Sequence, residues 1–310
     1  MAIQRTAIVR GPGAVKFGSV VIHDASGITA EIESATQEVP SSISGPLDTI
    51  KTDQTATVGF TPCGQITADI LSALYPHQTP AIGSSLCGSS DKALIVHSLA
   101  GQKVEFSNAF LSQVPDLLLS PVKTAFGAAQ FTALLGLGKA PGDTDAFCKV
   151  TAATYNLNYP DPEGLTGVQY AGTFGSLSIP DTADGWTVSV ELATDPVATD
   201  GLGTIDHTLS GVTVRAKCTP IGLSESQILA ELPFAMRRGA SLRGENDLVI
   251  AGAGGLTVTL KNATLVTGPL AWGNTTLRVG EVGFVAHRSF TSGVAGPLYS
   301  VAITSSGNNS

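Results

Sequence analysis

Charged and aromatic residues are scarce in this chain of 310 residues, at 14% and 6% of the sequence. A helical bundle normally carries more of both, whereas the 35 glycines are typical of short strands joined by tight turns. The formal net charge is -8, and no long basic run is present. This balance argues against a protein that grips nucleic acid through its phosphates, although it allows nucleic acid to slide past. A hydrophobic content of 43% supplies enough material for a core and argues against disorder.

Cysteine is also sparse, and the four cysteines form no C-x-x-C pair and have no histidine nearby at zinc-ligand spacing. They are Cys63, Cys87, Cys148 and Cys218. We expect them to be reduced and mostly buried, where they behave as small hydrophobic residues.

The first residues lack the apolar core of a secretory signal, and no window is apolar for long enough to span a bilayer. A soluble protein made in a cytoplasm, with no membrane partner, is therefore expected.

Sequence motifs for catalysis are missing as well. The stretch Gly136–Asp143 lacks the G-K-[ST] ending of a phosphate-binding loop, and Ala251–Gly255 is not followed by a helical pattern, so both are predicted to be tight turns. No serine lies in a G-x-S-x-G motif. The five histidines lie far apart in sequence: His23, His77, His97, His207 and His287. We therefore expect no enzyme, and no cofactor or metal site.

An internal repeat is the strongest signal that the sequence does contain. "TATVGFTPCG" begins at Thr55, and "TVRAKCTPIG" begins at Thr213. A shift of 158 residues aligns Gly27–Leu74 with Gly185–Leu232 without a gap. About 15 of these 48 positions are identical, where about three or four are expected from average residue usage. Many of the identical residues are turn or cap residues, which indicates that the backbone path is repeated too.

The repeat predicts the domain organisation. Similar sequences continue on both sides of the aligned block with small register changes, as in "FGSVVIHD" and "FGSLSIPD". We expect two tandem homologous domains, residues 1–154 and 168–310. The segment 155–167 between them has the Pro, Asn, Asp and Gly content of a linker.

Each repeat is predicted to be mainly β, as a sandwich or barrel with one flanking α-helix. Apolar and polar residues alternate in "ITAEIE", "TATVGF", "QKVEF", "WTVSVEL", "TVRAKC" and "LTVTL", which indicates strands with one buried face. Helical spacing of apolar residues predicts a helix over Gln65–Tyr75. Its counterpart is "SESQILAEL", which begins with the Ser224 and Gln227 of a capping box.

Two long segments between strands, Ala35–Thr55 and Ala193–Thr213, are interpreted as loops. Loops of this length are uncommon in compact domains unless they act outside the domain, so we expect projecting arms. Their apolar anchors are Val39, Ile43 and Leu47 in the first arm, and Val197, Leu202 and Ile205 in the second.

The order of these elements resembles the major tail tube proteins of long-tailed, siphovirus-type bacteriophages. The similar features are the acidic arm, the strand ending in "FTPCG", the helix ending in "LYP", and the phrases "DKALIVHSLAGQKVEFSNAFL" and "VPDLLLSPVKTAFGAAQFTAL". The resemblance covers most of both repeats and rests on element order rather than on a short motif. It implies a structural virion protein, assembled in the host cytoplasm, whose tube domains stack as pseudo-sixfold rings around a channel as wide as DNA.

The resemblance also implies the partners. These are further copies of the chain, a tape measure protein inside the tube, tail terminator and distal tail proteins at its ends, and double-stranded DNA that passes without tight binding. Most such subunits carry one tube domain, and this chain departs from them by carrying two. If six tube domains close a ring, three chains fill it, so we expect a homotrimer. The arms are expected to order against the neighbouring ring.

A channel for DNA is better lined by anions and hydroxyls than by cations, which bind phosphates. In "ITAEIE", Glu31 and Glu33 lie on the face opposite Ile28 and Ala30, and Glu191 has the same place in the second repeat. We expect these three carboxylates to face the lumen. An ordinary solvated outer face is the alternative for the same residues.

Two other classes of protein stay open. One is a ligand-binding sandwich such as a carbohydrate-binding module, although the aromatic platform of such a site would have to come from Trp186 or Trp272. The other is a different virion protein, such as a capsid decoration protein or a tail adaptor.

Overall fold

The structure is a computed structural model that describes most of the chain. The described residues are 2–11, 13–41, 43, 45–64, 66–87, 93–98, 101–134, 147–152, 168–199, 203–223, 226–227, 246–267, 270–272, 277–288, 290–291 and 294–304. The predicted linker 155–167, the predicted turn Gly136–Asp143 and most of the second predicted helix lie outside them. Only Ser226 and Gln227 of that helix are described, and both are helical.

In the first half of the chain, the described residues between 2 and 152 form thirteen strands and one helix. They are β1 (Ala2–Gly11), β2 (Gly13–Phe17), β3 (Val20–Asp24), β4 (Ile28–Ser41), β5 (Gly45–Phe60), β6 (Pro62–Cys63), α1 (Ala68–Leu74), β7 (Leu94–Ser98), β8 (Gln102–Phe106), β9 (Ala109–Gln113), β10 (Leu117–Leu119), β11 (Thr124–Phe126), β12 (Ala129–Leu134) and β13 (Cys148–Ala152).

In the second half, the described residues between 168 and 304 form thirteen further strands. They are β14 (Tyr170–Phe174), β15 (Leu177–Ile179), β16 (Thr182–Thr199), β17 (Gly203–Pro220), β18 (Leu248–Gly252), β19 (Leu256–Leu260), β20 (Thr264–Thr267), β21 (Leu270–Trp272), β22 (Leu277–Val279), β23 (Val282–Val285), β24 (Phe290–Thr291), β25 (Val294–Ala295) and β26 (Tyr299–Ile303).

Four antiparallel sheets make the protein mainly β, which confirms that part of the prediction. Sheet A1 has the order β1-β4-β5-β12-β9, and sheet B1 has β13-β8-β7-β2-β3-β6. Sheet A2 has the order β11-β10-β16-β17-β23-β20, and sheet B2 has β15-β14-β18-β19-β26. The strands β21 and β22, and β24 and β25, form two small separate pairs.

The six alternating sequences predicted to be strands lie in β4, β5, β8, β16, β17 and β19, as the pattern indicates. Ile28 and Ala30 of β4 are buried, and so are Trp186 and Val188 of β16. Their polar neighbours lie on the opposite face because successive side chains of a strand alternate. The prediction of which face forms the core is therefore confirmed for both strands.

Aromatic side chains join the two sheets of each half. Phe17 of B1 and Phe131 of A1 have ring centroids 4.7 Å apart. In the second half, Phe174 of B2 and Phe284 of A2 are 5.3 Å apart. Offset and tilted ring pairs at such distances stabilise a core beyond the area that they bury. The same inter-sheet contact thus occurs at corresponding places in both halves.

The strand pairing repeats in detail between β4–β5 and β16–β17. Ala30 pairs with Val58, and the residues 158 positions later, Val188 and Ala216, pair in the same way. Both hairpins have a register shift after the corresponding residue, Ala35 or Ala193. A second shift follows Val39 and Val197, again 158 positions apart. Because β-bulges depend on local backbone geometry, their shared positions extend the sequence repeat to the backbone path.

Helix α1 is shorter than predicted, since it begins at Ala68 and not at Gln65. Thr67 is the N-cap, and its hydroxyl accepts a hydrogen bond from the backbone N–H of Ile70 at 3.3 Å. This bond satisfies one of the donors that a helix start leaves without an intrahelical partner. Leu71 and Leu74 are buried, so the predicted apolar face does pack into the core.

The two arms are not loops, and the prediction was wrong on this point. The strands β4 and β5 stay paired out to Ser41 and Gly45, and β16 and β17 out to Thr199 and Gly203. Each arm is therefore the distal part of a long β-hairpin. The two bulges let the ladder continue past the irregular residues.

Candidate assembly surfaces

The two halves of the chain contact each other at three junctions, and the first of them is formed by the hairpin β10–β11. It follows β9 of sheet A1 in sequence but pairs with β16 in sheet A2. Leu117 lies opposite Val188, and Leu119 lies opposite Trp186. Both leucines are buried. Full burial of a leucine contributes about 1.5–3 kcal/mol, so this crossing hairpin is a substantial part of the second half's core.

The region of α1 forms a second junction between the halves. The hydroxyl of Tyr75 donates to the carbonyl oxygen of Pro115, in the segment that leads into β10, at 2.9 Å. The backbone N–H of Leu298 donates to the carbonyl oxygen of Gln78 at 2.8 Å. Burial raises the pKa of Tyr75, so its hydroxyl stays protonated and able to donate. The first bond holds the start of the crossing hairpin against the end of α1, and the second joins the segment after α1 to the second half.

The third junction is formed by the second arm, defined as Val197–Thr208. Its β17 side lies against residues 83–87 of the first half. The backbone N–H of Leu86 donates to the carbonyl oxygen of His207 at 2.8 Å, and that of Leu209 donates to Ser84 at 3.0 Å. Ser85 and Thr208 form an isolated β-bridge. The second arm therefore docks on its own chain by strand-like backbone pairing.

A small apolar cluster lies beneath this contact and is separate from the main core. Its buried members are Leu86, Cys87, Phe110, Leu134 and Leu209. The His207 ring lies 5.0 Å from the ring of Phe110, and its Nδ1 is 3.2 Å from the Thr194 hydroxyl oxygen. Burial lowers the pKa of His207, and the nearby Asp206 carboxylate only opposes this effect. The docked contact therefore favours the neutral imidazole.

Carboxylates hold the docked arm at two points. Asp206, with 7% of its surface exposed, accepts hydrogen bonds from the backbone N–H groups of Cys87 at 3.0 Å and His207 at 2.7 Å. Near the tip, Asp53 of β5 accepts from the Thr204 backbone N–H at 3.1 Å and from its hydroxyl at 2.9 Å. Bonds to ionised acceptors are the stronger class of hydrogen bond.

The first arm, Val39–Ile50, is exposed by contrast. Ile43 is 95% exposed and Leu47 is 66% exposed. Asp48 corresponds to Asp206 and accepts the N–H of Thr49 at 2.7 Å, but it lies in solvent. Both aspartates thus accept the N–H of the next residue. Asp206 also accepts an N–H from the first half, whereas Asp48 has no such docking partner within the described residues.

The predicted arm residues are accordingly in different environments. Val39 and Ile205 are half-buried, and Val197 is exposed. Leu202 lies outside the described residues. The expected role of these residues toward a neighbouring ring stays a prediction.

The three carboxylates predicted for the lumen lie on the face of their sheets opposite the core. Glu31 and Glu33 of A1 are half-buried, and Glu191 of A2 is exposed. The register places Arg215 opposite Ser189, and Lys217 opposite Thr187, on the same face as Glu191. This face of A2 therefore carries charges of both signs, which sequence reasoning on single strands did not detect.

Chemistry-bearing side chains do not converge elsewhere in the described part of the chain. No group of three or more potential metal ligands occurs there. All four cysteines are free, as predicted, but only Cys87 and Cys218 are buried. Ala251–Gly255 forms the predicted tight turn between β18 and β19, closed by a 3.0 Å bond from the Gly255 N–H to the Gly252 carbonyl oxygen. Trp186 is buried in the core and provides no exposed platform for a sugar.

Comparison with known proteins gives no family for this chain. No protein-family model matches it, and no curated protein matches it. Among the described helices, none has the length and apolarity needed to cross a membrane.

The sequence reasoning missed the crossing hairpin. The signal for it was the apolar run Leu117–Leu119, which is followed by the turn-forming pair Ser120 and Pro121 and then by a second short run ending at Phe126. Three-residue strands are too short for a periodicity test, and their pairing partner is distant in sequence.

Proposed function

We propose that this chain is a structural subunit of a phage tail tube, built from two tandem tube domains. The observation that carries the proposal is the exchange of elements between two halves with the same strand order. Sheets A1 and A2 share the order β4-β5-β12-β9 and β16-β17-β23-β20, and sheets B1 and B2 correspond in the same way. The contact between the two halves of one chain is the kind of contact that would have to repeat between all neighbouring tube domains of a ring.

The proposed ring contains three chains. Within one chain, the crossing hairpin and the second arm form the junction between the first and the second half. A head-to-tail contact of the same kind between chains generates a closed ring when its rotation divides a full turn. Six equivalent halves then surround the channel, with alternate junctions inside and between chains. The rings would stack into a tube through which DNA is ejected.

Electrostatics support a conduit for DNA more than a binder. The chain carries a net charge of -8. Glu31 and Glu33 lie on the face of A1 opposite the core, Glu191 lies on the corresponding face of A2, and in the proposed ring these faces line the lumen. Repulsion of the phosphates would keep passing DNA centred, and one of the two cations on this face of A2, Lys217, is paired with the carboxylate of Glu281 at 3.2 Å.

Negative-stain microscopy of the purified protein tests this function. Rings or tubes with a central channel are expected, alone or after addition of the other tail components. Monodisperse single-chain particles under all of these conditions would contradict the proposal and favour a binding module.

A further inference from the structure

The hairpin β21–β22 is the second-half counterpart of the crossing hairpin β10–β11. In the crossing hairpin, Leu117 pairs with Phe126, and Leu119 pairs with Thr124. In β21–β22, the pairs are Leu270 with Val279 and Trp272 with Leu277. The same number of residues separates the two strands in both cases, and both hairpins follow the corresponding strand, β9 or β20.

The two hairpins differ in what they pair with. The strand β10 adds to the edge of β16 and becomes part of a six-stranded sheet. In the described part of the chain, β21 and β22 pair only with each other. Within the described residues, this hairpin therefore lacks the sheet that stabilises its counterpart. A two-stranded hairpin on its own is only marginally stable in water.

The strand equivalent to β16 is β4. The offset of 158 residues makes Ile28–Ala30 the counterpart of Trp186–Val188, where β10 is bound. Gly185 precedes that place with φ 86, and a Cβ there would lie 2.3 Å from the carbonyl oxygen of Leu119. Gly27 holds the corresponding position in the first half with φ 106. The first half therefore has a glycine with a positive φ at the position that corresponds to Gly185.

The end of β1 occupies this edge in the single chain. Val9, Arg10 and Gly11 pair with Ala30, Thr29 and Ile28. A register shift between Ala7 and Val9 separates these pairs from the rest of the β1 ladder. Their release would leave the pairs formed by Ala2–Ala7 in place. The ladder lost is equal in length to the ladder that a β21 strand would form there.

We propose that β21–β22 of one copy adds to β4 of the next copy, in place of residues Val9–Gly11. The occupant is a second copy of this chain because the chain carries both the hairpin and the β4 edge that corresponds to the β16 edge, and within the chain that edge is paired with β1. Addition of a strand to a sheet edge supplies main-chain hydrogen bonds, and the end of β1 protects that edge until a neighbour arrives. This inference rests on the ring assembly of the proposed function.

Disulfide trapping tests the contact. Leu118 of the crossing hairpin pairs with Thr187 of β16. Ala271 corresponds to Leu118 and Thr29 to Thr187, so Ala271 should face Thr29 across the interface between copies. The variants Ala271→Cys and Thr29→Cys are mixed and oxidised, and we expect a covalent dimer that neither variant forms alone. A chain carrying both changes should give linked species that end at the trimer.

Three controls accompany this measurement. A chain with Leu118→Cys and Thr187→Cys should link within itself, which verifies that the pairing geometry permits the bond. Ala271→Cys mixed with Thr57→Cys, on the same sheet face but one strand further from the edge, should give no dimer. The unsubstituted chain, with its four native thiols, provides the oxidation background.

Microscopy of the same samples separates this inference from the proposed function. Rings without the Ala271–Thr29 link, while the internal pair links fully, would overturn the inference and leave the tube function standing. The link without rings or tubes would support the contact and contradict the tube function. Absence of both the link and the rings would contradict both.

Discussion

Replacing Asp206 with alanine should loosen the second arm from the first half. The carboxylate accepts the Cys87 N–H at 3.0 Å, and it is almost fully buried. Its removal leaves a buried donor without its acceptor, at a cost of about 1–3 kcal/mol. The variant Asp206→Asn keeps an acceptor oxygen at that position and should lose less.

The chain contains a matched control for this substitution. Asp48 holds the corresponding position, and its carboxylate accepts the Thr49 N–H at 2.7 Å in the same way, but in solvent. The change Asp48→Ala should alter the free energy of unfolding of the isolated subunit by less than about 0.5 kcal/mol.

Urea unfolding of the isolated subunit measures the stability of both variants, because a shift of the midpoint concentration without a change of the slope m reports a change in the free energy of unfolding. Hydrogen exchange at the Cys87 amide reports the local contact, and it should become faster only in Asp206→Ala. Equal losses of stability in the two alanine variants would refute the docking of the second arm, because one contact is buried and the other is exposed.

Three further predictions concern assembly, transport and pH. Deletion of Pro40–Pro46 should leave a folded, soluble subunit that forms shorter tubes, since the exposed tip of the first arm is lost; normal tube length would show that the arm is not a stacking element. Substitution of Glu31, Glu33 and Glu191 by lysine should leave tubes intact but slow DNA ejection, most at low salt where screening is weak; unchanged ejection kinetics would place these residues on the outer wall. Stability should fall as the pH decreases through 6.5, partly because unfolded His207 takes up a proton that the folded form resists. Since burial lowers the pKa of His23 and His97 too, a smaller pH dependence in His207→Gln than in the unsubstituted chain is the diagnostic result.

Local sequence patterns predicted the strands well because alternation depends only on which face is buried. Ile28 and Ala30 of β4 illustrate this, since both are buried as the pattern indicates. The helix α1 was placed within three residues of its start, but Thr67 is its cap and not part of the helix. Helix ends depend on one side-chain hydrogen bond, which the periodicity of apolar residues does not report.

Long-range features were beyond the reach of such patterns. The arms were interpreted as loops between shorter strands, whereas two bulges keep the long strands paired on both sides of the irregular positions. The crossing hairpin was missed because Leu117–Leu119 finds its partner in β16, in the other half of the chain. Likewise, the position of Arg215 and Lys217 beside Glu191 depends on the register between β16 and β17.

The most direct test of the tail-tube proposal is a cryo-electron microscopy reconstruction of the assembled particle without imposed symmetry. We expect three chains in each ring, with six equivalent sheet pairs around a channel wide enough for duplex DNA. A ring of six chains, or an assembly without a central channel, would contradict it.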